Sequence, residues 1–238
     1  MPRFVKPAAE RRAEIIACAA ALFFEKGYEA TTIADILERT GLSKGAFYHH
    51  FESKEELLDA FTEQATDTAL DAVEGLLKDS SLSERTRLCR FLAETSRLQF
   101  DAQPPPYIVF ESLLRPGNAM LYQRILSVNA AVVGPILRDI VGRGAARGEF
   151  DVTDIGITVE VILQLAVARN ELSLKVFQLA RAGQKKEARK MLSQRLIAEQ
   201  ALLERILGVS PGSIDIFEPK YINALIETIS KPAGRSPP

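Results

Sequence analysis

Apolar residues recur at three- and four-residue intervals along almost the whole chain, and no stretch sustains the alternation of a half-buried strand. The segment ERRAEIIACAAALFFEKG predicts a first helix, followed by a stripe of Ile33, Ile36 and Leu37 that ends at Gly41. A second short helix carries Phe47 and Phe51, and a long one is expected over 54–78 through Leu57, Leu58, Phe61, Ala65, Leu70, Val73 and Leu77. After a break at 79–82, a helix opening near Ser83 should run until Pro104, Pro105 and Pro106 stop it. A short helix over 108–114, a Pro116-Gly117 break and a helix over about 119–142 come next, with Pro135 kinking the last and Gly142, Gly144 and Gly148 loosening its end. Helices over 152–182 and 184–207, a turn at Ser210-Pro211-Gly212 and a final helix from Pro219 complete an all-α chain without internal repeats.

Within this pattern, residues 32–51 (TIADILERTGLSKGAFYHHF) predict two short helices joined by a tight turn. Thr32 stands three residues before Asp35, the spacing of a reciprocal capping box, and Ser43 is placed to cap the next helix. At ~100° per residue, Phe47 and Phe51 share one side of that helix, while Gly45 and His49 fall near the other with Ala46 and Tyr48 beside them. One side anchors and the other is open to a groove. Gly45 and Ala46 are small enough to let backbone approach base edges, and Lys44, Tyr48, His49 and His50 bring polar groups to phosphates or bases. A second capping pair, Ser53 and Glu56, sets Lys54 in the first turn of the following helix, where backbone N–H groups already favour an anion. Lys54 is therefore expected to clamp a phosphate and to matter little for stability.

The block from residue 31 to 57, TTIADILERTGLSKGAFYHHFESKEEL, resembles the amino-terminal DNA-binding domain of the tetracycline-repressor (TetR) family of bacterial transcriptional regulators, and the preceding helix fits the same pattern. The resemblance implies phosphate contacts by Thr32, Tyr48, His49, His50 and Lys54, and base reading at the helix start by Ser43, Lys44, Gly45 and Ala46. It covers about the first quarter of the chain. It implies a helix-turn-helix domain over 8–68, a larger helical effector-binding and dimerisation domain over 69–231, and a homodimeric repressor acting on a palindromic operator. Families of this kind pair through two late helices that form a four-helix bundle.

Composition narrows the alternatives. At 238 residues and 47% hydrophobic, the chain can bury a substantial core. The net charge is only −1, and residues 1–54 carry eight Lys and Arg against seven Asp and Glu. Affinity for DNA must then come from local placement of cations, including Arg3, Lys6, Arg11 and Arg12 on an amino-terminal arm. Cys18 and Cys89 lie in apolar helical stretches without metal or disulfide spacing, as buried thiols of a cytoplasmic protein do. No secretory leader and no run of about 18 apolar residues is present, so no membrane partner is expected. Phosphate loops, nucleophile elbows and metalloprotease motifs are absent, and both histidines lie in the hairpin, so neither an enzyme, a metal site nor a cofactor is expected. An all-helical enzyme using paired carboxylates and a helical protein adaptor are the competing readings, and salt-steep, sequence-dependent DNA affinity would exclude both.

The later helices suggest two further roles. Residues 155–167, IGITVEVILQLAV, are apolar on nearly every side and need a cover beyond one core. Ile162 and Leu163 there, with Leu192, Leu196 and Leu203 on the amphipathic helix that follows, are the candidate dimer contacts, the charges of Lys185, Arg189, Arg195 and Glu204 being set on the polar side. Phe91, Phe110 and Tyr122, on successive helices around two proline breaks, are the candidate pocket residues for a small hydrophobic effector, oriented by Tyr107, Tyr122 or Arg97.

Overall fold

The computed structural model describes residues 7–101, 116–217 and 219–230; for Ala65, Ala69, Leu98, Gln99, Phe100, Asp101, Pro116, Glu171 and Pro219 it describes the backbone alone. Every regular element among them is helical: α1 (Ala8–Lys26), α2 (Ile33–Thr40), α3 (Lys44–Tyr48), α4 (Lys54–Lys78), α5 (Glu84–Asp101), a 3-10 turn (Pro116–Asn118), α6 (Ala119–Ala146), α7 (Ile155–Arg181), α8 (Lys185–Ile206) and α9 (Pro219–Ser230). The fold is all-α. The expected helix over 108–114 lies outside the described residues.

Start and stop positions follow local chemistry. Thr32 and Asp35 form the full capping box at α2, and Gly41, at φ 67°, takes the left-handed conformation that ends it at little steric cost. The Asp154 side chain accepts from the Ile157 amide at 2.8 Å, so α7 begins at Ile155 and not at 152. Conversely, α6 runs past Gly142 to Ala146. Gly144 does not loosen it: a Cβ there would lie 2.2 Å from the Phe150 ring, so the missing side chain makes room for a buried phenyl. Pro135 sits inside α6 without ending it.

The described residues form two compact units, 7–68 with 116–129, and 69–101 with 130–217 and 219–230. Residues 116–129, expected in the second domain on a linear division, belong to the first. Its core gathers Ile15, Phe23, Tyr28, Ile36, Phe47, Phe51, Leu57 and, from α6, Leu121. The second unit is built on Leu88, Phe91, Leu137, Ile140, Phe150, Val159, Ile162, Leu203 and Leu207. By length and composition α6 is apolar enough to cross a membrane, contrary to the expectation that no such stretch exists. Only 22% of that apolar stretch is buried, with Leu121 in one core and Leu137, Ile140 and Val141 in the other, all at 0% exposure.

The candidate dimer residues require a correction. Ile162, Leu192, Leu196 and Leu203 are buried within the chain itself, and Leu163 packs against the same core. The large apolar residues left exposed on α7 and α8 are others, among them Ile157 at 63% on α7 and Ile197 at 68% and Leu202 at 36% on α8, with Val161 partly exposed one turn after Ile157. A stripe apolar all round has no unique outward face in sequence, and the second unit's own packing selected Ile162. Glu204, expected on the polar side, is buried too: its Oε1 accepts from the amides of Gly212 at 2.8 Å and Ile214 at 3.2 Å and so holds the turn before α9.

A buried ionic knot ties the second unit. Glu84, 1% exposed, receives Arg87, Arg143 and Arg147 at 3.1, 3.0 and 2.9 Å. Arg87 in turn donates to the carbonyls of Leu76, Leu77 and Asp79, satisfying orphan acceptors at the carboxyl end of α4. Burial works to raise the Glu84 pKa, but Arg143 and Arg87 outweigh it and hold the carboxyl below its ordinary value.

Candidate nucleic-acid interface

The hairpin is assembled from α1, α2 and α3. Glu25 of α1 and Arg39 of α2 form a two-pronged pair at 3.0 and 2.7 Å, and Lys26 meets Asp35 at 2.6 Å. The Lys26 and Thr32 contacts hold the Asp35 carboxyl well below the usual range, so it stays charged in its cap. Ser43 caps α3 by accepting from the Ala46 amide at 3.3 Å. The second capping pair is only half formed: Ser53 accepts from the Glu56 amide at 3.0 Å, but Glu56 reaches back to the Glu52 amide instead of that of Ser53.

The two sides of α3 differ as their residues demand. Phe47 and Phe51 are sealed in the core at 0% and 1% exposure, ring centroids 6.1 Å apart. On the outer side Lys44, Gly45, Tyr48 and His49 are exposed and Ala46 and His50 partly so. Tyr48 is 44% exposed, its ring edge-on to Phe47 at 5.5 Å and the Lys44 ammonium 5.9 Å from its centroid. A methyl group added at Gly45 would meet no atom within 4 Å. The fold therefore does not need a glycine in that helix, and pays about 0.5–1 kcal/mol relative to Ala to keep it. Thr32 and Ser43, the residues that start α2 and α3, are exposed as well. No cluster of three potential metal ligands exists among the described residues, and the His49 and His50 rings meet edge to face at 5.3 Å.

Lys54 departs from its expected part. Its ammonium donates to the carbonyls of Tyr28 at 2.9 Å and Thr31 at 3.0 Å and lies 4.3 Å from the Tyr28 ring centroid. It is a tie of the α1–α2 junction, which sequence reasoning missed because its partners lie more than twenty positions upstream. Tyr28 itself is buried, which with Glu55 nearby pushes its phenol up to about 12 and keeps it neutral. Lys54→Ala should accordingly lower the melting temperature, whereas Tyr48→Ala should leave it unchanged, a contrast that thermal denaturation reads directly. Arg11 and Arg12 also differ from a loose arm: both are in α1, Arg11 pairing with Glu14 at 2.8 Å and Arg12 stacking 4.7 Å from the Phe51 ring centroid. Arg3 and Lys6 lie outside the described residues.

Of the candidate effector residues, Phe91 is a core residue of the second unit and Tyr122 packs on the core of the first. Phe110 and Tyr107 lie outside the described residues, and Arg97 pairs with Glu94 at 2.9 Å.

Comparison with known proteins sets this geometry in a family. Residues 15–61 match the bacterial regulatory proteins of the tetR family. The HTH-type transcriptional repressor KstR2 of Mycobacterium tuberculosis is 46% identical over 59 residues, which are 25% of this chain and 30% of that protein. The HTH-type transcriptional regulator TtgR of Pseudomonas putida is 41% identical over 66 residues, 28% of this chain and 31% of that one. The chain thus spans about three-tenths of the length of these relatives. The likeness of fold extends further. The reduced form of E. coli NemR matches with a TM-score of 0.55 at 18% identity, covering 84% of this chain and all of that one. RolR matches without ligand at 0.55 and 20% identity, covering 93% and 97%, and in complex with resorcinol at 0.53 and 21%, covering 94% and 95%. These relatives are regulators and not enzymes. With the reciprocal cap at Thr32, the glycine end at Gly41 and the anchored Phe47 and Phe51 all within the matched segment, residues 15–61 carry the segment that marks the tetR family of bacterial regulatory proteins.

Proposed function

We propose that the protein is a sequence-specific, double-stranded-DNA-binding transcriptional repressor that acts as a homodimer on a palindromic operator in the cytoplasm and is released by a small hydrophobic effector. The observation that carries DNA binding is the openness at Gly45 beside the exposed Tyr48, on the side of α3 opposite its buried anchors. Gly45 and Ala46 let the backbone of α3 approach base edges, with Lys44 and Ser43 reading at its start. Thr32, Tyr48, His49, His50 and the remaining N–H of Lys54 meet phosphates. Five helical residues touch few base pairs, so a single copy lacks the discrimination a genomic site demands, and a two-fold pair supplies it. The apolar residues left exposed on α7 and α8, Ile157, Ile197 and Leu202 with the partly exposed Val161, are those a second copy would cover. Release by an effector is supported by the resorcinol complex of the structurally similar RolR and by the Tyr122 hydroxyl, buried without a partner among the described residues.

Gly45→Ala separates function from folding. Alanine should raise the stability of α3, by up to about 1 kcal/mol, because nothing stands in its way. DNA affinity should fall, since the methyl group occupies the space a base edge would use. Binding is measured on duplexes recovered from a random library, stability by thermal melting. A variant that binds as tightly as the parent and recovers the same duplexes would remove Gly45 from the interface, and a parent that enriches no duplex would remove the DNA-binding reading itself.

A further inference from the structure

The first unit is not made of one stretch of chain. Asn118, at 0% exposure, reaches into the junction between α1 and α2 from far along the sequence. Its Oδ1 accepts from the Tyr28 amide, and its Nδ2 donates to the Phe23 carbonyl at 3.2 Å. One end of the amide meets an N–H and the other a carbonyl, so its orientation is fixed by its partners. Beside it, the Gly117 carbonyl accepts from the Glu29 amide at 3.1 Å, and a Cβ on Gly27 would approach that oxygen to 3.5 Å. One turn on, Leu121 is fully buried in the core that holds Phe47, Tyr122 and Ile125 pack against that core, and Arg124 pairs with Asp59 at 2.6 Å.

The junction is therefore gripped from two sides. Lys54 takes the carbonyls of Tyr28 and Thr31, while the 116–118 turn takes the amides of Tyr28 and Glu29. Both hydrogen-bonding groups of the Tyr28 peptide are thereby fixed by side chains from outside the hairpin. Thr31 and Thr32 follow at once, and Thr32 starts α2, so the pose of the hairpin on α1 depends on this short stretch.

We infer that residues 116–125 complete the DNA-binding unit and that Asn118 is its latch, a removable pair of hydrogen bonds holding the α1–α2 junction in the arrangement that binds DNA. The inference rests on the DNA-binding reading for its consequence but not for its structure. Asn118 directly precedes α6, so the latch sits at the start of that helix and is held in place by its first turns, through Leu121 and Arg124. Its withdrawal leaves the buried Tyr28 N–H without its acceptor, while the Phe23 carbonyl keeps only the Gly27 amide at 3.1 Å, a state that favours rearrangement of the junction over its persistence. The pose of the hairpin thus depends on a side chain that lies ninety positions past Tyr28 in sequence.

The test uses the full-length protein and two variants. Amide hydrogen exchange at Tyr28 should be markedly faster in Asn118→Ala than in the parent, with affinity for a library-selected duplex lower by roughly tenfold and oligomer mass unchanged. Asn118→Asp keeps the acceptor for Tyr28 but, while ionised, cannot donate to the Phe23 carbonyl. As pH falls and the carboxyl takes up a proton it becomes a donor, so Tyr28 protection relative to the parent should return. Equal protection of Tyr28 in Asn118→Ala and the parent overturns the latch, as does unchanged duplex affinity. If Asn118→Ala fails to fold, the Asn118→Asp series decides: indifference to pH overturns the latch, and recovery on acidification supports it. A parent that binds no duplex sinks the functional reading, while the exchange result still judges the latch.

Discussion

Replacing both Ile157 and Ile197 by glutamate is expected to leave a folded monomer that binds its selected duplex roughly a hundredfold more weakly or worse. Each side chain is more than half exposed in the isolated chain, at 63% and 68%, so a carboxylate there remains in water and costs the single chain little. In the proposed two-fold pair the same carboxylates would be covered by the second copy, where uncompensated charge is strongly disfavoured. Ile162→Glu is the control. At 4% exposure its carboxylate would enter the core with Val159 and Leu203, and that variant should lose helix content altogether. Light scattering, circular dichroism and duplex titration together read the outcome. A doubly substituted protein that keeps the parent's mass and affinity would place the pairing surface elsewhere.

Glu84→Gln should destabilise the second unit by about 3 kcal/mol, the low end for breaking a buried pair because Arg143 and Arg147 retain access to water. Glutamine keeps the shape but takes from Arg87, at 4% exposure, the carboxylate it pairs with directly beneath the end of α4. The parent should show the same dependence on pH. The folded-state pKa of Glu84 lies below its ordinary value of 4.5, so the stabilisation is fully present above that value and is lost as pH falls through the lowered one. Denaturant melts at neutral and acid pH check both points: the gap between parent and variant should narrow on acidification. A gap that is small at neutral pH would mean that Arg87's carbonyl contacts alone hold the end of α4.

What the sequence made legible was local. The cap at Thr32, the left-handed end at Gly41, the cap at Ser43 and the burial of Phe47 and Phe51 depend on neighbours within four residues, and spacing reveals them. What it concealed was the choice among equivalent faces and the identity of distant partners. Ile162 and Ile157 are equally apolar, and only the packing of the second unit turned one inward. Lys54 in a first helical turn reads as an anion site until the carbonyls of Tyr28 and Thr31 are seen beneath it. Asn118 in a Pro-Gly-Asn turn looks like ordinary punctuation, and nothing near it in sequence announces a partner ninety positions away. Glu204 was set with the solvated charges of its helix because its acceptor role depends on a turn, at Gly212 and Ile214, that had first to fold back.

The central claim, that the outer side of α3 reads duplex DNA, is tested most directly by titrating the parent and Tyr48→Ala with a library-selected duplex over a range of salt concentration. The account predicts that the parent's affinity falls steeply and log-linearly as salt rises, and that Tyr48→Ala binds more weakly to every duplex with a shallower slope at an unchanged melting temperature. Affinity that is insensitive to salt, or identical in the two proteins, would contradict it.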